Sequence, residues 1–269
     1  MNDVKPSQTD KAEVLGDSVL HGQVIIVTGA GSGIGRATAR RLVNLGAQVV
    51  GLGRHEETLR ATGDGLAEER YGYEVLNVRD REAALATVAS IGDDRGLTGL
   101  VNCAGGQFIA EAEAISQRGW DSVIDLNLNA VFNLVAAAYP YLKIDGGSVI
   151  NISLSGVERG SMGMAHSIAA RSGVLGLTRT LSLEWASDKI RVNCIGPGTV
   201  VTDVLGASYA SDIVDDFIAA TPLGRGTRAE EVAELIAFMM SPAGEMISGQ
   251  LLQIDGASSL GRGLHGLSR

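Results

Sequence analysis

The stretch Gln23-Val24-Ile25-Ile26-Val27-Thr28-Gly29-Ala30-Gly31-Ser32-Gly33-Ile34-Gly35-Arg36 decides the fold. Val24 to Val27 form an unbroken apolar run, the pattern of a parallel strand buried on both faces. Thr28 to Gly35 then places four glycines in eight residues, and Ala37, Ala39, Leu42 and Val43 continue with helical spacing. A strand, a glycine turn and a helix start together make an anion site. Glycines let the backbone approach a pyrophosphate, and the first turn of a helix offers unpaired N–H groups at the positive end of its dipole. Gly29, Ser32, Gly33, Ile34 and Gly35 are therefore candidate contacts for a dinucleotide.

Outward from this stretch, strand-like runs recur near 23–28, 48–52, 73–77, 99–103, 147–152, 190–195 and 250–254. Helical patterns fall between them near 34–45, 56–69, 81–91, 115–140, 164–186 and 228–240. This alternation predicts an α/β fold: a single-domain, Rossmann-like, doubly wound parallel sheet of about seven strands with helices on both faces. At 269 residues and 45% hydrophobic content the chain can bury such a core as one domain. Residues 1–20 are polar and mixed in charge and are expected to form a flexible tail, with 21–269 as the dinucleotide-binding domain. A net charge of −9 without a basic stripe argues against nucleic acid or an anionic membrane as partner. No run reaches the roughly 18 apolar residues that span a bilayer, and the tail has no signal-peptide core, so a cytoplasmic location is expected. The two cysteines, Cys103 and Cys194, sit in apolar strand-like runs, as expected of buried thiols rather than a disulfide or a metal site.

The second strand ends Val49-Val50-Gly51-Leu52-Gly53-Arg54. A site that prefers NAD places Asp or Glu about 20 residues past the glycine turn, to bond the ribose 2′-hydroxyl. Here Gly53 holds that place and Arg54 follows. A carboxylate would repel a 2′-phosphate, whereas a guanidinium can bind it bidentately, so NADP(H) is favoured over NAD(H).

The turn itself reads Thr-Gly-x-x-x-Gly-Ile-Gly, and with the segments that follow it resembles the short-chain dehydrogenase/reductase family. The resemblance runs from about residue 20 to 258. It implies that Asn77 and Val78 contact the adenine, and that Asn102-Cys103-Ala104-Gly105 braces the sheet and approaches the cofactor ribose. Asn102, Ala104 and Gly105 thus join the cofactor candidates, and Cys103 departs from the family's asparagine. Asn127, within Trp120 to Phe132, falls where the family keeps an asparagine that kinks a long helix and holds a relay water. Pro197, Gly198, Val200 and Thr202 match the segment that lines the nicotinamide, with Thr202 at its carboxamide. Residues 203–226 then match the variable substrate lid. The last strand and turn, Gly249 to Gly256, match a region that commonly sits between subunits, so a homo-oligomer, a tetramer or a dimer, is expected.

The family's chemistry usually rests on Ser, Tyr thirteen residues later, and Lys four after that. The segment Ser172-Gly173-Val174-Leu175-Gly176-Leu177-Thr178-Arg179 fixes the register, and the spacing from Asn151 agrees with it. Arg171 then stands at the Lys position, Ser167 at the Tyr position and Leu154 at the Ser position. Arg171 keeps a positive charge and can bond ribose hydroxyls, but it passes no proton. Ser167 is a far weaker acid than a phenol, and Leu154 polarises nothing. Losing a general acid costs about 10²–10⁴ in rate. His166 and Ser155 are the neighbours that could substitute, with Ser153 a lesser candidate.

Gly163 to Arg171 and Gly105-Gly106-Gln107-Phe108 resemble the 2,4-dienoyl-CoA reductases and related bacterial reductases, which also carry Ser where Tyr usually stands. Those enzymes hold a dienolate oxygen with an Asn and a Tyr, whose places are taken here by Gln107 and Gly156. Bacterial enzymes for terpenoid alcohols such as citronellol look similar in the same region. The implied activity is NADP(H)-dependent hydride transfer to or from a carbonyl, alcohol or conjugated enone or enoyl substrate. That substrate would be small and partly apolar, with CoA-linked compounds among the classes. Asn127, Gln107, Ser155, His166, Ser167 and Arg171 are the catalytic candidates. The alternatives are a nucleotide-binding pseudoenzyme acting as a sensor or partner subunit, and non-redox chemistry such as dehydration or epimerisation.

Overall fold

A computed structural model describes residues 15–202 and 211–260. Seven strands form one parallel sheet: β1 (Val24–Thr28), β2 (Gln48–Gly53), β3 (Tyr71–Val75), β4 (Gly99–Asn102), β5 (Gly147–Ile152), β6 (Ile190–Pro197) and β9 (Leu251–Ile254). Two short strands, β7 (Val200–Val201) and β8 (Thr227–Arg228), pair beside it. The sheet order is β3-β2-β1-β4-β5-β6-β9, so the chain runs out to β3 and crosses back to place β4 on the other side of β1. That reversal opens a crevice at the carboxyl ends of β1 and β4, where open α/β sheets bind ligands. All five residues of β1 are buried, as its unbroken Val/Ile run requires.

The helices are α1 (Gly33–Asn44), α2 (Glu56–Gly63), α3 (Arg81–Arg95), α4 (Gln117–Ile124), α5 (Ala130–Asp145), α6 (Ala165–Glu184), α7 (Ser211–Ala219) and α8 (Ala229–Met240). One core cluster joins Ala39, Leu42 and Val43 of α1 to Val232, Ile236 and Met240 of α8 across one face of the sheet. On the other face Ala84 and Val88 of α3, Leu134 and Ala138 of α5, and Val174 of α6 pack together. Helices thus cover both faces of the sheet, and the doubly wound expectation holds.

Several boundaries differ from the sequence reading. Residues 15–20, assigned there to the tail, pack against the domain: Leu15 and Leu20 are buried, and Leu20 N–H donates to Leu45 O at 2.9 Å. The second helix stops at Gly63, where a Cβ would meet the Tyr71 ring at 2.8 Å. The third strand spans 71–75 rather than 73–77, because β2 sets its register from Val49 opposite Tyr71 to Gly53 opposite Val75. The long helix begins at Gln117, carries a π-helical turn at Asp125–Asn129 and continues to Asp145. By length and composition alone the helix Gln117–Asp145 is long and apolar enough to cross a membrane, although it holds no unbroken apolar run of that length. In this fold its Val131, Leu134, Val135, Ala138 and Leu142 are core. Of the expected lid, α7 and residues 220–226 are described, and 203–210 lie outside the described residues.

Candidate active site

At the crevice lies a cleft of about 430 Å³. Gly29, Ser32, Gly33, Ile34 and Gly35 line it from the glycine turn, Arg54 from the end of β2, and Asn77 and Val78 from the segment after β3. Ala104 and Gly105 after β4, with Val200 and Thr202 after β6, line its other side. The turn is as tight as a pyrophosphate cradle needs. Gly29 has φ +67°, and a Cβ there would meet the Ala104 backbone at 3.1 Å. A Cβ on Gly35 would collide with the Gly29 carbonyl oxygen. Helix α1 starts behind Ser32 with no side chain capping it and no acidic residue in its first turn. Its leading amides therefore face the cleft available to an anion, and these residues fit a dinucleotide.

Two arms hold the cradle in place. Thr28 Oγ1 accepts from Ala104 N–H at 2.9 Å, tying β1 to the end of β4. Thr62 Oγ1 donates to Ala30 O at 2.8 Å, tying α2 and the preceding Arg54 to the turn. Asn102 does not line the cleft. It is buried, its Nδ2 donating to Asn151 Oδ1 at 2.9 Å, and Asn151 Nδ2 donates in turn to Thr178 Oγ1 at 3.1 Å. Its part is the sheet brace. Pro197 and Gly198 also lie off the cleft wall, with Gly198 N–H donating to Ile254 O at 3.1 Å. Sequence reasoning missed Gly31, His55, Thr58, Arg79, Ser122 and Leu126, which line the cleft as well. The basic pair His55 and Arg79 was the signal available, since both follow strands at the adenosine end.

The catalytic candidates assemble around one guanidinium. Arg171 and Ser167 are one turn apart on α6, on one face of the helix. Arg171 Nε donates to Ser167 Oγ at 3.3 Å, and Ser167 Oγ donates to Gln107 Oε1 at 2.7 Å. Arg171 Nη1 donates to Ile152 O at 2.9 Å and Ser153 O at 3.1 Å, and Nη2 donates to Asn127 Oδ1 at 3.0 Å. Asn127 reaches this place through the π-helical turn, and its Nδ2 bonds Val123 O and Gly106 O, both at 2.8 Å. An asparagine in a regular helix competes with the backbone; here the widened turn releases a carbonyl for it. Burial pushes the Arg171 pKa down to about 10, so the side chain stays charged at neutral pH. It lies behind Gly105 rather than in the cleft wall, and its donors are mostly committed to protein oxygens.

Two sequence candidates lie elsewhere. His166 is fully buried, its ring edge against Phe108 with centroids 4.2 Å apart. Its Nδ1 accepts from Ser167 N–H at 2.8 Å, and burial lowers its pKa. Burial and the accepting Nδ1 both favour the neutral ring. Ser155 turns away to Ser258, with Oγ atoms 3.4 Å apart, while its N–H donates to Pro197 O. Leu154 and buried Ser153 are likewise outside the Ser167–Gln107 chain.

A family model described as enoyl-(acyl carrier protein) reductase matches residues 29–258. The chain belongs to the short-chain dehydrogenase/reductase family. A Bacillus subtilis protein described as a probable 2,4-dienoyl-CoA reductase producing (2E)-enoyl-CoA is 34% identical over 248 residues, covering 88% of this chain and 97% of its own. The citronellol catabolism dehydrogenase AtuB of Pseudomonas aeruginosa superposes with a TM-score of 0.80 at 36% identity, over 91% of this chain and 98% of that one. A Beutenbergia cavernae protein described as an NAD(P)-dependent gluconate 5-dehydrogenase, with NADP bound at low occupancy, superposes with a TM-score of 0.84. It is 32% identical over 90% of this chain and 99% of that one. As a short-chain dehydrogenase/reductase, the protein is an oxidoreductase that uses a nicotinamide cofactor, and the cleft at β1 and β4 is where its residues fit one.

Proposed function

We propose that this short-chain dehydrogenase/reductase is an NADP(H)-dependent reductase of small, partly apolar conjugated enones or enoyl thioesters. Arg171, Ser167 and Leu154 stand where the family's Lys, Tyr and Ser usually do. The observation that carries the reading is the chain from Arg171 through Ser167 to Gln107, which ends in fixed N–H donors and contains no acid that titrates near neutral pH. Because Gln107 Oε1 accepts from Ser167, its amide nitrogen points the other way, and neither of its N–H groups has a protein partner among the described residues.

A bound nicotinamide supplies the hydride. Reducing a ketone leaves an alkoxide, which needs a proton delivered in the transition state. Reducing a conjugated enone at its β-carbon instead leaves an enolate, whose charge fixed donors can hold until water protonates the α-carbon. In this reading the Gln107 amide, which lies beyond the cleft wall, is the donor to that oxygen. Arg171, charged and anchored to the end of β5 and to Asn127, polarises Ser167 and favours negative charge nearby. The enoyl chemistry in the family-model description and the dienoyl-CoA relative support the same substrate class.

Arg54 supports NADPH over NADH. It ends β2 beside the cleft, and among the described residues it has no carboxylate partner. A homo-oligomer is proposed as well, on the exposed apolar side chains of α4 to α6.

The test is reduced-cofactor consumption with a matched pair of substrates, an α,β-unsaturated ketone or enoyl thioester and its saturated ketone. NADPH-dependent turnover of the unsaturated member alone is expected. Turnover of the saturated ketone at the same rate would overturn the enolate assignment, and cofactor binding without turnover of either would favour a non-catalytic role.

A further inference from the structure

The adenosine end of the cleft holds a residue that the proposed reaction does not use. Arg79 follows Asn77 and Val78 after β3, and its side chain leans across the end of the cleft to α4, Nη1 donating to Ser122 Oγ at 3.4 Å. Its backbone is set by the turn beneath it. Arg79 N–H donates to Asn77 Oδ1 at 3.2 Å, and Asp80 N–H to Asn77 O at 2.8 Å. Asp80 then caps α3, accepting from Ala83 N–H at 3.1 Å. The Arg79 side chain therefore starts from a fixed point on one wall and ends on the other.

Arg79 is exposed and, among the described residues, makes no ion pair, although the chain carries 31 acidic residues against 22 basic ones. Among the described residues, the one polar contact of its side chain is an uncharged hydroxyl on the opposite wall. A guanidinium is planar and weakly hydrated, and it stacks on aromatic faces in a way an ammonium does not. The same cleft is lined by apolar Leu76 and Val78, both buried, and Leu126. Apolar lining residues, a planar cation and the glycine turn in one cleft suit a flat base whose phosphates run to α1.

We propose that Arg79 is a clasp over the adenine: its guanidinium, steadied by Ser122, covers the outer face of the purine. Arg54 then serves the ribose 2′ position and Arg79 the base, so the two arginines have separable effects. The proposal rests on the dinucleotide reading of the cleft and not on the choice between NADPH and NADH.

Binding of 5′-ADP, NADH and NADPH to the full chain, measured by calorimetry, tests it with Arg79→Ala, Arg79→Lys and Ser122→Ala. Arg79→Ala is expected to weaken all three ligands about tenfold and equally, leaving the NADPH/NADH ratio of wild type in place. Arg79→Lys should not restore binding, because it keeps the charge and loses the plane, and Ser122→Ala should show a smaller loss in the same direction. Unchanged affinities, full rescue by Lys, or a loss confined to NADPH would each overturn the clasp. If wild type binds none of the three, the dinucleotide reading fails and the clasp with it. If wild type binds NADH as tightly as NADPH while Arg79→Ala weakens both, only the NADP(H) preference fails.

Discussion

A Cβ on Gly105 would lie 2.9 Å from Asn127 Oδ1 and 3.1 Å from Arg171 Nη2. Neither neighbour is the loose end of a flexible chain, since Arg171 is held at β5 and Asn127 at Gly106 and Val123. Gly105→Ala should therefore displace the guanidinium and lower turnover by about 10- to 100-fold, the size of a misplacement near 1 Å. Thermal unfolding should shift far less, because no core contact is lost. Gln107→Ala removes both the acceptor of the Ser167 hydroxyl and the proposed donor to the substrate oxygen, and a fall in kcat of about 10²-fold with cofactor binding unchanged is expected. The pH profile should also be distinctive. Burial lowers the His166 pKa below its ordinary value and holds that of Arg171 at about 10. Arg171 is charged below its pKa and loses charge as pH rises through it, so kcat should stay level from about pH 7 to 9 and decline above. A break near neutral pH would point to a titrating acid that the proposed chain lacks. At this scale the sequence showed the Ser167–Arg171 pair, because their spacing puts them on one helical face. It did not show that His166, turned by about 100° from Ser167 on the helix, is buried against Phe108. The link from Ser167 to Gln107 joins positions 60 apart, which no local pattern reveals.

Elements explain what the periodicity could and could not show. The apolar runs of β1, β4, β5 and β6 are buried on both faces and were legible for that reason. Edge strand β3 reads Tyr-Gly-Tyr-Glu-Val with no buried residue, so its register comes from β2 rather than from its own pattern. The π-helical turn that presents Asn127 leaves the apolar spacing of α4 and α5 nearly intact, and only the asparagine itself marked it. Helix α8 shows an anchor of another kind. Glu231 receives Arg225 bidentately at 2.7 and 2.8 Å and accepts Arg228 N–H at 2.9 Å. The bond from Arg225, then that from Arg228, holds its pKa down to about 2. A depressed carboxylate contributes above its unfolded pKa and is lost as pH falls through the folded one, so this anchor should persist until pH drops toward 2. Glu231→Gln should free the segment between α7 and α8, and limited proteolysis should nick residues 220–228 several-fold faster than in wild type. Equal cleavage rates would show that β7–β8 pairing holds the segment without it.

At the scale of the whole molecule, the crossover from β3 to β4 decides where chemistry can occur, and every cleft residue follows from it. The same topology leaves one face of the α4–α5 helix and of α6 without a partner. Trp120 is 37% exposed, Phe132 53% and Leu183 81%, all on these helices. These exposed apolar side chains are the expected subunit contact, and in a two-fold dimer each such residue is buried twice. Burying one phenylalanine is worth about 1.5–3 kcal/mol, so two copies contribute ~3–6 kcal/mol to association. Phe132→Glu removes both contributions and sets two carboxylates against apolar surface. Light scattering coupled to gel filtration should find wild type as a dimer or tetramer at micromolar concentration and Phe132→Glu shifted to a smaller species, since that energy corresponds to a dissociation constant raised by about 10²–10⁴. Cofactor binding should survive in the smaller species, because the cleft is built within one chain. A monomeric wild type, or an assembly indifferent to Phe132, would place the subunit contact on another face, with the last strand β9 at the free edge of the sheet as the next surface to change.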